Sequence, residues 1–197
     1  MSLKSQLILA SSSPYRRELL DRLQLPYSCV SPAVDETPLA NETPLALAQR
    51  LARLKAEAIA ATHPGSVVIG SDQVCACEGR AIGKPHTFEK ALEQLTFMKG
   101  KESVFHTAVC VIDAAGKAHE FVSDTVVTLR DLSQEAIRDY LTREKPFDCA
   151  GSAKIERLGI ALMRSVTSDD PTSLIGLPLM KLTEVLTRVG LPPVQGL

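Results

Sequence analysis

Leu7-Ile8-Leu9-Ala10-Ser11-Ser12-Ser13-Pro14-Tyr15-Arg16-Arg17-Glu18-Leu19-Leu20 reads as strand, tight loop and helix, because an apolar run gives way to a serine cluster and then to a helical pattern. Ser13 suits the N-cap, where its hydroxyl takes an otherwise unpaired amide, and Pro14 suits the first helical position, where a missing N–H costs nothing. Arg16 and Arg17 then fall in the opening turns, where the helix dipole already presents partial positive charge. Such a breach of a local rule marks a place to look for function. The hydroxyls of Ser11 and Ser13, free helix amides and the Arg16 guanidinium together suit an anion, and phosphate is the natural one. An ordinary capped helix with solvated arginines fits the same residues.

The chain has 197 residues, of which 45% are hydrophobic, enough for one well-packed domain with two lobes around a cleft. Residues 1–197 are therefore expected to form a single domain. A formal net charge of −1 without a basic run gives no electrostatic support to nucleic-acid or membrane-surface binding. There is no secretory pattern at the N-terminus and no apolar stretch long enough for a bilayer, so a cytoplasmic protein is expected. The five cysteines, Cys29, Cys75, Cys77, Cys110 and Cys149, have no CxxC spacing and form no compact disulfide framework. Buried small hydrophobes are the expectation for most of them.

Beyond the opening unit, 25–31 reads as a short strand and Val34-Asp35-Glu36-Thr37-Pro38 as an acidic loop that, taken alone, is a solvated turn. From about Thr43 to Ala61 the period is helical, with Leu47, Leu51, Leu54 and Ala58 on one stripe and Gln49, Arg50, Arg53 and Glu57 on the polar side. Lys55 falls between the leucine stripe and the flank of Ala48, Ala52 and Ile59, the side expected to face a sheet. It either snorkels outward or points into an internal cleft, and its position favours the cleft. Val67-Val68-Ile69 is a buried-strand signature running into Gly70-Ser71-Asp72-Gln73. A carboxylate where such a strand ends is a better functional candidate than one on a helix face, which makes Asp72 the leading catalytic residue. Lys84 stands between flexible Gly83 and rigid Pro85, where decoration of a turn is the commoner fate.

A helix is expected from about Thr87 to Met98, a long hairpin over 103–113 and 118–130, and a capped helix from Ser133 to near Arg143. The segment 149–159 is turn-rich, Ile160 to Met163 reads as a strand, Asp169-Asp170-Pro171 as a turn, and Leu179 to Val189 as the last helix. Helices interleaved with strands make a mixed α/β domain. Within it, Arg16, Lys55 and Lys84 could neutralise a polyphosphate while Glu36 and Asp72 hold a hard divalent cation or activate water, and magnesium fits a site sharing carboxylates, water and phosphates. No Walker A loop, GxSxG motif or histidine pair with metal-ligand spacing is present.

The opening Leu-Ala-Ser-x-Ser-Pro, Arg16, Val34-Asp35-Glu36, Lys55-Ala56, Gly70-Ser71-Asp72, Gly83-Lys84-Pro85, Ala150-Gly151-Ser152 and Gly176-Leu177-Pro178 resemble, in order and over nearly the whole chain, the Maf family of nucleotide pyrophosphatases. The resemblance implies an α/β fold of the Maf/ITPase-like kind: a mixed sheet flanked by helices, two lobes around a central nucleotide-binding cleft, and a homodimer. It also implies hydrolysis of a nucleoside triphosphate to monophosphate and pyrophosphate with a divalent metal cation, Mg2+ or Mn2+. It further implies that Asp72 is the general base, with Glu36 near the metal and Arg16, Lys55 and Lys84 on the phosphates; the residues themselves add Asp72 as a second metal ligand and the Ser11 and Ser13 hydroxyls as phosphate-binding groups.

Three positions depart from the members that act on dTTP and UTP: Tyr15 replaces an arginine, Gln73 a threonine and Glu156 a glutamine. This combination resembles the branch that hydrolyses 7-methyl-GTP. Methylation at N7 places positive charge on the guanine ring, and an aromatic face such as Tyr15 attracts it by about 0.5–2 kcal/mol. A carboxylate at Glu156 accepts from guanine N1–H and N2–H, whereas glutamine suits the mixed edge of a pyrimidine. Tyr15 as a core residue and Glu156 paired with Arg157 are the plainer alternatives. Hydrolysis of dTTP, UTP or another modified nucleotide, and a nucleotide-binding regulator of septum formation, are the rival functions.

Overall fold

A computed structural model describes residues 6–197. Along the chain run β1 (Leu7–Ala10), α1 (Pro14–Asp21), β2 (Tyr27–Val30), α2 (Pro44–Ala60), β3 (Val67–Cys77), β4 (Arg80–Ile82) and α3 (Phe88–Met98). β5 (Glu102–Ile112), β6 (Ala118–Leu129), α4 (Gln134–Glu144), β7 (Met163–Ser168) and α5 (Leu179–Arg188) follow, with short 3-10 turns at Ala150–Ser152, Leu158–Leu162 and Ser173–Ile175. The first four α-helices begin at a hydroxyl: Ser13, Thr43, Thr87 and Ser133 each accept from the amide three residues on. Buried Asp170 does this for α5 from a distance, accepting from the Met180 amide at 2.7 Å while its other oxygen takes the Thr172 hydroxyl at 2.6 Å. Within the Asp169-Asp170-Pro171 turn, Asp170 is thus a buried helix cap.

One mixed sheet organises the molecule in the order β2-β1-β3-β5-β6-β7, with β4 also on β3. β1 is parallel to β2 and β3, and every other pairing is antiparallel. Strand alternation sends Leu7, Leu9, Val67, Ile69, Val109 and Val111 toward α1 and α5, while Ile8, Ala10, Val68, Cys110 and Ile112 pack with Ala56 and Ile59 of α2. A separate core gathers the far half of β3, β4, α3, α4 and the start of β5 around Tyr140 and Leu95. The long strands β3, β5 and β6 therefore run through both lobes.

The expectation that Asp72 follows the end of its strand is corrected: β3 continues to Cys77 because β5 pairs with it from Val68 to Cys77. The strand that ends is β1. On the edge of β3 opposite β5, β1 covers Val67 to Gly70 and β4 covers Cys75 to Cys77, so 71–74 have no strand beside them there. That gap opens the cleft, with Asp72 in it. The strand expected from Ile160 to Met163 is also displaced. Ile160 is 54% exposed and lies in a 3-10 turn, and pairing begins only at Met163, as a largely exposed strand at the sheet edge. Cys75, Cys77 and Cys110 are buried and Cys29 and Cys149 half-buried, all as free thiols.

Gly70 sets how closely α2 approaches the sheet. A Cβ built on it would collide with the Ala52 carbonyl oxygen and lie 2.6 Å from the Ala56 amide nitrogen. Backbone cannot move aside as a flexible side chain can. Gly70→Ala is therefore expected to lower unfolding free energy by at least about 2 kcal/mol in a denaturant titration and to shift the helix that carries Lys55. An unchanged midpoint would mean that α2 tolerates the displacement.

Candidate active site

With α2 lying over Gly70, Lys55 reaches into the sheet gap. Lys55 and Asp72 are 6% and 7% exposed, and Lys55 Nζ donates to Asp72 Oδ1 at 2.6 Å. The same ammonium sits 2.9 Å from Glu36 Oε1. Glu36 comes from the loop after β2, which Arg50 of α2 pins by donating to Glu42 at 2.6 and 2.8 Å and to the Thr37 carbonyl at 3.1 Å. Partial burial pushes the Glu36 carboxyl upward, but the Lys55 hydrogen bond and the charges of Lys55, Lys84 and Arg16 outweigh it and hold the group below its ordinary range. Three cations thus converge on one carboxylate.

The turn between β1 and α1 forms the adjoining wall. Ser13 Oγ accepts from the Arg16 amide at 3.4 Å, and Ser11 Oγ accepts from the Ser13 amide at 3.1 Å. Arg16 does not drift to solvent: its Nε donates to the Gly176 carbonyl at 2.9 Å. Burial lowers the pKa of this guanidinium while Asp72 and Glu36 oppose the shift. Gly176 adopts φ of 121°, outside the reach of most side chains, and its carbonyl also accepts from Ser71 Oγ at 3.0 Å. Ser11, Ser13, Tyr15, Arg16, Glu36, Lys55, Asp72, Gln73 and Lys84 all line one cleft of about 540 Å³.

Three specificity candidates fare differently. Tyr15 lines the cleft and its hydroxyl donates to Asp148 Oδ2 at 3.0 Å, with Lys154 Nζ 5.6 Å from the ring centroid. Gln73 also lines it, yet its Nε2 is spent on Thr107 Oγ1 and on the Ser173 and Leu174 carbonyls, at 2.9, 2.9 and 3.1 Å. That amide braces the loop whose next residues carry Gly176. Glu156 is exposed and stands outside the cleft lining; Arg157, its imagined partner, lies 3.9 Å from Glu144 instead. The backbone around it folds as a string of turns, so position in sequence does not carry it to the base of the cleft.

Sequence reasoning missed Asp148, Lys154 and His86. Asp148 and His86 line the cleft, and the His86 amide donates to the Phe147 carbonyl at 3.0 Å, joining the Lys84 loop to the Asp148 segment. None lies in a periodic stretch, and the contacts that bring Asp148 to Tyr15 and His86 to Phe147 span tens of residues, so no local signal placed them in the cleft.

Two carboxylates, Glu36 and Asp72, already share one cation, the Lys55 ammonium, and the second oxygen of each has no hydrogen-bond partner among the described residues. Among those residues no three histidine, cysteine or carboxylate side chains converge as a closed metal cage. Two hard oxygen donors beside a phosphate-suited wall fit magnesium or manganese, which share their shell with substrate phosphates and water.

A HAM1 protein of known structure from Coxiella burnetii superposes with a TM-score of 0.47 at 15% identity, covering 93% of this chain and 99% of that one, too weak a likeness to carry weight. Sequence relatives are much nearer. A 7-methyl-GTP pyrophosphatase of Cupriavidus metallidurans is 56% identical over 94% of this chain and 94% of the relative. Another protein of that name, from Bordetella pertussis, is 55% identical over 97% of this chain and 96% of its own length. The profile of Maf-like proteins matches residues 6–189. By that match and by the identity of its relatives, this chain belongs to the Maf family.

Proposed function

We propose that this protein is a single-domain nucleoside triphosphate pyrophosphatase of the cytoplasm, acting as a homodimer, that hydrolyses 7-methyl-GTP to 7-methyl-GMP and pyrophosphate. The observation that carries the reading is the Glu36–Lys55–Asp72 cluster, with Lys55 and Asp72 buried at the sheet gap and all three lining one cleft with Ser13 and Arg16. The names of relatives more than half identical in sequence supply the substrate.

The residues divide the work by chemistry. Arg16, fixed by the Gly176 carbonyl, and the exposed, cleft-lining Lys84 meet the polyphosphate, joined by the Ser11 and Ser13 hydroxyls. Lys55 has three donors and spends two on Asp72 and Glu36, leaving the third for a phosphate oxygen. Asp72, with Oδ1 held by Lys55, offers Oδ2 to a water and takes its proton as that water attacks phosphorus in line with the departing pyrophosphate. Glu36 and Asp72 are the residues that would hold a divalent cation. When bound it supplies charge neutralisation at the phosphates. Tyr15 offers an aromatic face to the cationic base.

Product analysis tests the bond that breaks. From 7-methyl-GTP in 18O-water, equal amounts of 7-methyl-GMP and pyrophosphate are expected, with the label in one product only. Orthophosphate and 7-methyl-GDP would show cleavage at the terminal phosphate and contradict the reading.

A further inference from the structure

We infer that Arg50 and Glu42 form the clamp that presents Glu36 to the cleft, which makes them positioning residues for the proposed reaction and rests on the part given there to Glu36. Glu36 lies on no helix or strand, but in the irregular stretch 31–42 between β2 and α2. Its side chain is 53% exposed, so burial does not fix it. A loop without ladder hydrogen bonds needs another hold if one of its carboxylates is to stay in place. Among the described residues, the side chains from outside 31–42 that hydrogen-bond or ion-pair with it are Arg50 and Lys55. Both stand on α2, five residues or about 7.5 Å apart along the axis, so one helix grips the loop at two points.

The grip at Arg50 uses the whole guanidinium plane. Nε donates to Glu42 Oε1 at 2.6 Å and Nη2 to Glu42 Oε2 at 2.8 Å, and Nη2 also donates to the Thr37 carbonyl at 3.1 Å. Within the loop, Glu42 Oε2 accepts from the Leu39 amide at 3.0 Å and Asp35 Oδ1 from the Thr37 amide at 2.9 Å. Thr37, the residue after Glu36, is therefore held at both its amide and its carbonyl. That leaves Glu36 little beyond its own rotamers to settle, and Lys55 settles them at 2.9 Å. An exposed ion pair with one contact holds little, but a bidentate fork shielded from water fixes direction as well as distance. Here the Glu42 side chain is only 8% exposed and that of Arg50 24%. The Arg50 hydrogen bonds, with that of the Leu39 amide, pull the Glu42 carboxyl down to about 2, so it stays charged near neutral pH. A lysine could not span two carboxylate oxygens and a carbonyl in one plane. Neither Arg50 nor Glu42 lines the cleft, so an effect of either on turnover has to pass through another residue.

Arg50→Met removes the fork, Glu36→Gln removes the charge it presents, and the two are made singly and together. Arg50→Met is expected to lower kcat/KM for 7-methyl-GTP by about tenfold or more in the otherwise native enzyme, but by less than about twofold in the Glu36→Gln background, where the clamp has no carboxylate left to present. Arg50→Lys, which keeps the charge and most of the packing without the fork, is expected to recover less than about half of the lost activity. Hydrogen exchange reads the loop without turnover: the Leu39 amide should exchange about tenfold faster or more in Arg50→Met than in wild type. Equal falls in both backgrounds would make Arg50 a general support of the fold, and full recovery by lysine would make it a distant positive charge; either overturns the role. Unchanged exchange at Leu39, or wild-type rates from Glu36→Gln, overturns it as well. Failure of wild type to turn over 7-methyl-GTP is visible before any variant is made and removes the function on which the role rests, whereas normal turnover by Arg50→Met removes the role alone.

Discussion

Asp72→Asn is expected to lower kcat for 7-methyl-GTP by about 10²–10⁴-fold, the range for removal of a general base. The amide cannot take a proton from water but keeps the size of the carboxylate and an oxygen for the Lys55 ammonium, which retains Glu36 as its ionised partner. The phosphate contacts proposed for Arg16 and Lys84 are untouched, so KM should change by only about threefold or less. The variant should melt within a few degrees of wild type. Steady-state kinetics and a thermal melt read both quantities. Near-normal turnover by folded variant would remove Asp72 from the chemistry.

Lys55→Met is the second large effect, and it acts on stability as well as rate. The methionine fills the volume on α2 but leaves Asp72 and Glu36 facing each other without the cation that both now contact. Breaking a fully buried pair costs about 3–5 kcal/mol; here Glu36 is half-exposed and the cleft admits water, so about 2 kcal/mol at pH 7 is expected. The loss of charge at the phosphates should lower kcat/KM by about 10²-fold or more. The stability effect carries a pH signature. Glu36 is held below its ordinary value of 4.5, so wild type has the full benefit of the pairing above pH 4.5 and gives it up as pH falls through the lower folded-state value. The gap between wild type and variant should therefore be widest at neutral pH and close in acid. Added Mg2+ or Mn2+ should raise the melting midpoint of the variant more than that of wild type, because two carboxylates have lost their internal cation. A gap independent of pH would mean that Lys55 contributes only by packing.

Much of this site was legible before folding, for identifiable reasons. Ser13-Pro14 announces the start of α1, and the caps at Thr43, Thr87 and Ser133 announce three more helices, because capping is a local interaction. The angular position of Lys55 on α2, beside Ala48, Ala52 and Ile59, sends it to the sheet side, where it is found buried. Asp72 stood out as a carboxylate behind an apolar run, although the length of β3 was misread because its continuation depends on pairing with β5, thirty-odd residues away. β7 was misplaced for a related reason: an edge strand exposed along most of its length needs no apolar pattern. Gln73 and Glu156 are singled out by resemblance of residue type alone, and the fold places them differently. Gln73 is tied to the Ser173 and Leu174 carbonyls, and Glu156 lies outside the cleft. Asp148 and Lys154 become neighbours of Tyr15 only when more than a hundred residues of chain have folded between them.

The most direct measurement is pyrophosphate release, with Mg2+ or Mn2+, from 7-methyl-GTP, GTP, dTTP, UTP and CTP by wild type and by Asp72→Asn. Highest kcat/KM on 7-methyl-GTP, lost in the variant, is the predicted result. Preference for a pyrimidine triphosphate would contradict the reading of Tyr15 and the purine edge. Binding without turnover of any of the five would contradict catalysis and favour a nucleotide-binding regulator.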